Sequence, residues 1–101
     1  MASGTIENRN PLFAHTGWGT SLEFTMPSNH TQALILYNGT MLFLVWTAST
    51  ASVNVSRFST DGVTYKSSTS GTVTFDNITI ERSGTTIKFT CGANATVHAL
   101  F

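Results

Sequence analysis

The sequence predicts an all-β domain, an antiparallel β-sandwich of about eight strands with a jelly-roll-like arrangement. No stretch carries apolar residues at the i, i+3, i+4 and i+7 spacing of an amphipathic helix. Short segments rich in Val, Ile, Phe and Thr alternate instead with Gly, Asn, Asp and Ser, which favour turns. The 101 residues include 18 Thr and 11 Ser, and Thr suits the solvated face of a strand because it is both β-branched and polar.

The length of the chain, 101 residues and 10.9 kDa, leaves room for one domain with one hydrophobic core. We place a β-sandwich domain at residues 21–101. We expect residues 1–20 to form an N-terminal arm or an edge segment, because Pro11, Gly17 and Gly19 make them the least strand-like part of the chain. The candidate strands, some of which are expected to merge, span residues 21–26, 32–37, 40–48, 52–60, 63–68, 72–75, 77–82, 85–91 and 95–101.

Three dipeptides predict tight hairpin turns and thereby set the register of the flanking strands. They are Asn38-Gly39, Asp61-Gly62 and Ser83-Gly84, and Asn-Gly is the strongest signal because both central residues of a type I′ turn need φ > 0. The pairs expected next to the turns are Tyr37 with Thr40, Thr60 with Val63, and Arg82 with Thr85.

The hairpin at residues 32–48 is apolar on both faces, whereas a strand of a two-layer sandwich normally has one solvated face. One face carries Ala33, Ile35, Tyr37, Leu42, Leu44 and Trp46; the other carries Leu34, Leu36, Met41, Phe43 and Val45. The second set predicts an oligomer interface, because an exposed apolar patch of this size is unusual on a free monomer. The alternative is that Leu12, Phe13 and Trp18 of the same chain fold over this surface.

The charge of the chain excludes several classes of partner. Five Lys and Arg balance five Asp and Glu, so the basic footprint of a nucleic-acid-binding protein is missing. The longest apolar run, residues 41–46, is far shorter than the roughly 20 residues that cross a bilayer. The first residues have neither a basic nor an apolar region, so we expect no signal peptide and no membrane insertion.

No catalytic motif is recognisable, and we expect a protein without enzymatic activity, cofactor or metal. Any two of the acids Glu7, Glu23, Asp61, Asp76 and Glu81 could face each other across a cleft as in a glycosidase, but we expect surface or turn residues, with Glu81 on a solvated face and Asp61 in a turn. The histidines share no metal-ligand spacing. Cys91 continues the inward series of Ile87 and Phe89, which predicts a buried core thiol.

Aromatic side chains are the better ligand candidates, because sugars stack their apolar faces on Trp and Tyr. His15 and Trp18 share a glycine-rich segment, in which Trp18 is either a sugar platform or a core plug. Trp46 is expected in the core or at an interface. Residues 59–65, with the sequence STDGVTY, resemble the S-x-D-G-x-T-[WY] hairpin of carbohydrate-active β proteins, in which the Asp caps the turn. Tyr65 of this segment is a third ligand candidate.

Taken whole, the chain resembles small β-sandwich modules of bacteriophage virions, such as tail-fibre tips, receptor-binding heads and decoration proteins. The resemblance lies in the length, the Thr- and Ser-rich strands, the low charge and the apolar residues 99–101. It implies a non-enzymatic virion or extracellular protein, a homotrimer that binds a host-surface glycan or another virion protein. The alternative is a free-standing, lectin-like carbohydrate-binding module in the cytoplasm.

Overall fold

The computed structural model describes residues 14–27 and 29–101, and every regular element in these ranges is a β-strand. The strands are β1 Ala14–Thr25, β2 Gln32–Tyr37, β3 Thr40–Val45, β4 Val53–Ser59, β5 Gly62–Ser68, β6 Thr72–Phe75, β7 Ile78–Ser83 and β8 Thr86–Leu100. The predicted covering residues Leu12 and Phe13 lie outside the described ranges.

The strands form one antiparallel sheet in the order β5-β4-β3-β2-β8-β7-β6, with β1 also paired to β8. Residues 97–100 of β8 lie between β1 and β2, whereas residues 86–90 lie between β1 and β7. The β1–β8 ribbon is therefore shared by two parts of the sheet. We call β5-β4-β3-β2 with the second half of β8 the larger sheet, and β6-β7 with the first half of β8 the smaller sheet. The predicted all-β antiparallel fold is confirmed.

The inner sides of both sheets contribute to one hydrophobic core. Its largest fully buried side chains are Phe75, Phe89, Ile35, Leu42, Leu44, Ile80, Ile87, Val53, Val55 and Val97. They recur at every second position because successive side chains of a strand point to opposite faces. Cys91 is buried in this core, as predicted, and Trp46 is a core residue at 4% exposure.

The sheet almost closes where β5 approaches β6, and side chains rather than strand hydrogen bonds join the two. Lys66 donates from Nζ to the Thr74 carbonyl oxygen at 2.8 Å. Arg57 contacts the Asp76 carboxylate at 3.3 Å. Both cations lie over the Phe75 ring, the Arg57 guanidinium carbon at 4.9 Å and Lys66 Nζ at 5.2 Å from its centre. This seam holds the two edge strands together.

The predicted segments match the strands with two differences in continuity. The predictions for β2 and β6 have the observed bounds. The two segments predicted at 85–91 and 95–101 are one strand, β8. The domain boundary placed after residue 20 falls inside β1, which continues through a bulge between Gly19 and Ser21. Residues 14–20 are thus part of β1.

The register is confirmed for one hairpin and is shifted by two residues in the other two. At Asn38-Gly39 the pairs are those predicted. In the second hairpin Gly62 pairs with Ser59, so the turn lies at residues 60–61. In the third, Thr86 pairs with Ser83, and the turn lies at residues 84–85. A shift of two leaves every side chain on its predicted face.

Candidate functional site

The outer side of the larger sheet carries a continuous apolar surface that spans five strands. In one cross-strand row Val63, Phe58, Met41 and Leu36 are successive partners, and in the next Phe43, Leu34 and Leu100 are successive partners. The full set, which we call the apolar face, is Leu34, Leu36, Met41, Phe43, Val45, Phe58, Val63, Tyr65 and Leu100. The structure places all five predicted interface residues on this face.

The apolar face is partly open to solvent. Val63 is 64% and Tyr65 is 61% exposed, and Phe58 is 36% exposed. The five predicted interface residues are half-buried, whereas the inner residues of the same hairpin, such as Ile35 and Leu42, have no exposed surface. The core therefore lies on the opposite side of β2 and β3, as the alternating pattern requires.

The two outer surfaces of the molecule differ sharply in charge. On the smaller sheet, the register places Lys88 between Glu23 and Glu81 on neighbouring strands. On the larger sheet, the described residues of the outer surface include no Lys, Arg, Asp or Glu. Charges on one surface and apolar side chains on the other are the distribution expected of a protein with one solvated and one covered side.

A cleft of about 400 Å³ lies at one end of the apolar face. Leu34, Phe43 and Leu100 of the apolar face line it together with Phe101 and the loop at 29–32. The loop contributes polar side chains to an otherwise apolar cavity, the composition typical of small-molecule sites.

The predicted ligand residues His15, Trp18 and Tyr65 are not brought together. His15 lies on the inner side of β1, where its ring stacks on Phe24 at 5.6 Å and on Phe101 at 5.4 Å between centres. Trp18 is on the outer side and is 71% exposed, so it is not a core plug. Tyr65 is five strands away from Trp18, roughly 24 Å at the usual strand spacing. One sugar ring cannot contact both aromatics.

A different set of side chains surrounds Trp18. Thr96 is its cross-strand partner, and Thr16 and His98 form the next pair on the same face. The Thr16 Oγ1 atom is 3.1 Å from His98 Nδ1, and the hydrogen bond joins residues 82 positions apart. We call Thr16, Trp18, Thr96 and His98 the Trp18 platform. Sequence reasoning missed it because only the long-range pairing of β1 with β8 brings these residues together.

The hairpin of residues 59–65 differs in detail from the motif it resembles. Ser59 rather than Asp61 caps the turn, because the Asp61 N–H donates to Ser59 Oγ at 3.3 Å. Tyr65 donates from its hydroxyl to Asn54 Oδ1 at 3.1 Å on the neighbouring strand. This contact lies within the sheet and gives Tyr65 a structural partner.

Arg82 is a buried cation, and its burial was not predicted from the sequence. It is 6% exposed and donates to three backbone carbonyl oxygens, those of Gly84 at 2.8 Å and of Thr50 and Ser52 at 2.7 Å. Desolvation by burial lowers the pKa of its guanidinium. Its backbone N–H donates to the Gly71 carbonyl oxygen at 2.8 Å. Arg82 thus fastens three connections at one end of the sandwich, which is a structural role.

Each of the described acids lies on a solvated surface, in a turn or in an ion pair. Glu23 and Glu81 both flank Lys88 on a solvated surface, Asp61 is exposed in a turn, and Asp76 pairs with Arg57. Within residues 14–27 and 29–101, no group of three or more His, Cys, Asp or Glu is placed to hold a metal ion. Glu7 lies outside the described ranges. The same part of the chain contains no helix with the length and hydropathy to span a membrane.

Comparisons with protein-family models, with curated proteins and with solved structures give no match to this chain. The apolar face and the Trp18 platform are therefore the features of the chain that bear on its function.

Proposed function

We propose that this chain is a non-enzymatic structural or adhesive protein that self-associates through the apolar face. The observation that carries the proposal is the contrast between the two outer surfaces, one with the Glu23, Lys88 and Glu81 charges and one without a charged side chain among the described residues. An uncharged surface can pack against another copy of the chain without like-charge repulsion, in a dimer or in a closed ring such as a trimer.

The dimensions of the apolar face support a contact between copies. The outer surface of the larger sheet carries the apolar face together with polar positions such as Ser56 and Asn54. Its five strands of about six residues cover roughly 24 Å by 20 Å, about 500 Å² in projection, and side-chain relief adds to the accessible area. The smallest specific interfaces bury about 600 Å² per partner and standard ones about 800 Å². Exposed Phe58 and Tyr65 supply the aromatic area that is enriched in interface cores.

The resemblance to small virion modules extends the proposal. It suggests a trimer, a virion or extracellular setting, and a partner that is a host-surface glycan or another virion protein. Light scattering distinguishes a trimer from a dimer directly.

The test is the solution mass of the native chain and of two matched variants. Leu36→Asp places a charge in the apolar face, between Met41 and His98 in its cross-strand row, whereas Thr79→Asp places the same charge at a half-buried position on the outer side of the smaller sheet. Size-exclusion chromatography with light scattering at neutral pH gives the mass, and circular dichroism shows whether the β structure is kept.

We expect an oligomeric native protein that Leu36→Asp converts to a folded monomer and that Thr79→Asp leaves oligomeric. A native monomer contradicts self-association, and if Leu36→Asp then also unfolds it, residues of the same chain cover the face. An oligomer that survives Leu36→Asp unchanged shows that a different surface makes the contact.

A free-standing lectin-like module is the second candidate function, and the exposure of Trp18 favours it. This candidate predicts a monomer that binds a sugar. The first candidate function predicts an oligomer and the second a monomer, so the solution mass separates them. An adhesive protein and a lectin-like module both need a ligand site.

A further inference from the structure

Strand alternation places Trp18 on the surface. It pairs in regular register with Thr96, before the bulge between Gly19 and Ser21, so its side chain points away from the side of β1 that carries Gly17. That inner side is already filled, since a Cβ at Gly17 would lie 2.9 Å from the Leu22 Cδ1 atom. The indole is therefore presented outward from a strand pair rather than from a loop.

The side chains around Trp18 are all exposed and all able to form hydrogen bonds. Thr16, Thr96 and His98 are exposed on the same face of the β1–β8 ribbon. The hydrogen bond between Thr16 Oγ1 and His98 Nδ1 fixes the imidazole ring. Because Nδ1 is engaged, Nε2 at the other side of the ring is the atom left to contact a ligand.

We propose that the Trp18 platform binds a neutral carbohydrate. The indole offers an apolar face on which the C–H side of a sugar ring stacks, and the two threonine hydroxyls and His98 Nε2 recognise ring hydroxyls. The inference rests on the adhesive role proposed above, but it does not depend on self-association.

The charge of the surface selects the class of sugar. Recognition of a carboxylate or sulfate uses Arg or Lys, and the described residues of this outer surface include neither. A sialylated or sulfated glycan therefore has no cationic partner on the platform. Neutral hexoses and N-acetylhexosamines are the ligands that fit.

The experiment is saturation-transfer NMR on the full chain with four probes: the methyl glycosides of glucose, galactose and N-acetylglucosamine, and N-acetylneuraminic acid as the charged comparison. The variants are Trp18→Ala and, as the control, Glu81→Ala, which removes an exposed side chain from the outer side of the smaller sheet, away from both the Trp18 platform and the apolar face. We expect a neutral probe to bind, Trp18→Ala to weaken it by at least roughly tenfold, and Glu81→Ala to leave it unchanged.

Binding of no neutral probe overturns the inference, as does binding that survives Trp18→Ala or that only the charged probe shows. Light scattering on the same samples separates the two proposals. A monomer that binds a neutral sugar through Trp18 supports this inference and contradicts self-association. An oligomer that binds none of the probes supports self-association and contradicts this inference.

Discussion

The guanidinium carbon of Arg82 lies 5.4 Å from the centre of the Trp46 ring. The cation is therefore covered by an aromatic face while its N–H groups are taken up by the carbonyl oxygens of Thr50, Ser52 and Gly84. No carboxylate contacts it among the described residues. A buried arginine held by backbone oxygens and a ring stabilises the connections around it.

Replacing Arg82 with Met should destabilise the fold strongly. Met retains much of the apolar stem but donates no hydrogen bond, so the Thr50 and Ser52 oxygens lose their charged partner, at a cost of about 2–4 kcal/mol in the free energy of unfolding. Urea denaturation measures this. Arg57→Met is the control, because Arg57 is more exposed and its partner Asp76 is 84% exposed; it should cost about 1 kcal/mol or less. Equal effects of the two variants would contradict the role given to Arg82.

Gly71→Ala should cost more stability than Gly39→Ala, although both glycines have positive φ, +87° and +75°. A Cβ at Gly71 would lie 2.5 Å from the Arg82 carbonyl oxygen and 3.0 Å from that of Ala51, whereas Gly39 has open space. We expect about 1 kcal/mol at Gly39 from backbone strain alone and roughly 3 kcal/mol or more at Gly71. Thermal unfolding gives both values, and a Gly71 variant as stable as the Gly39 variant would disprove the close approach.

Asp76 combines an ion pair with a backbone at φ 49°, and two substitutions separate these contributions. Asp76→Asn removes the charge but keeps a residue that tolerates the left-handed region, so the loss should stay below about 1 kcal/mol. Asp76→Ala removes the charge and also the side chain that tolerates the left-handed region, and it should cost about 1 kcal/mol more than Asp76→Asn. Denaturant unfolding in low and high salt is the measurement. If both variants lose the same stability, and only in low salt, the ion pair alone matters.

The sequence predicted the fold best where local chemistry decides it. Asn38-Gly39 can form only a narrow set of turns, so the register of β2 and β3 followed from the two residues. At the other two turns Ser59 and Arg82 compete with the glycine signal: the Ser59 hydroxyl accepts from Asp61, and Arg82 Nε donates to Gly84. Each of these turns lies one residue along the chain from the dipeptide that predicted it. Dipeptide preferences alone do not reveal the side-chain contacts that accompany such a shift.

The sites were harder to predict because they depend on pairing between distant segments. The alternation in β2 and β3 predicted about half of the residues of the apolar face. Phe58 and Val63 could be assigned to it only once the register of β4 and β5 was known. His15 was the histidine nearest to Trp18 in sequence, yet it lies three positions before Trp18 in a regular stretch of β1, so alternation places it on the inner side and His98 takes its place. Adjacency along the chain is a weak guide when a strand alternates its faces.

The shared β1–β8 ribbon has a consequence for how the protein is made. Strands β2 to β5 are joined by successive antiparallel pairings and can assemble as they leave the ribosome, since each pairs with its immediate neighbour. Strand β1 has to wait, because its partners are the residues of β8, synthesised last among the strands. Until then β2 and β7 lack their β8 partner, so their backbone edges stay unpaired, and nascent chains on neighbouring ribosomes are exposed to one another during that interval.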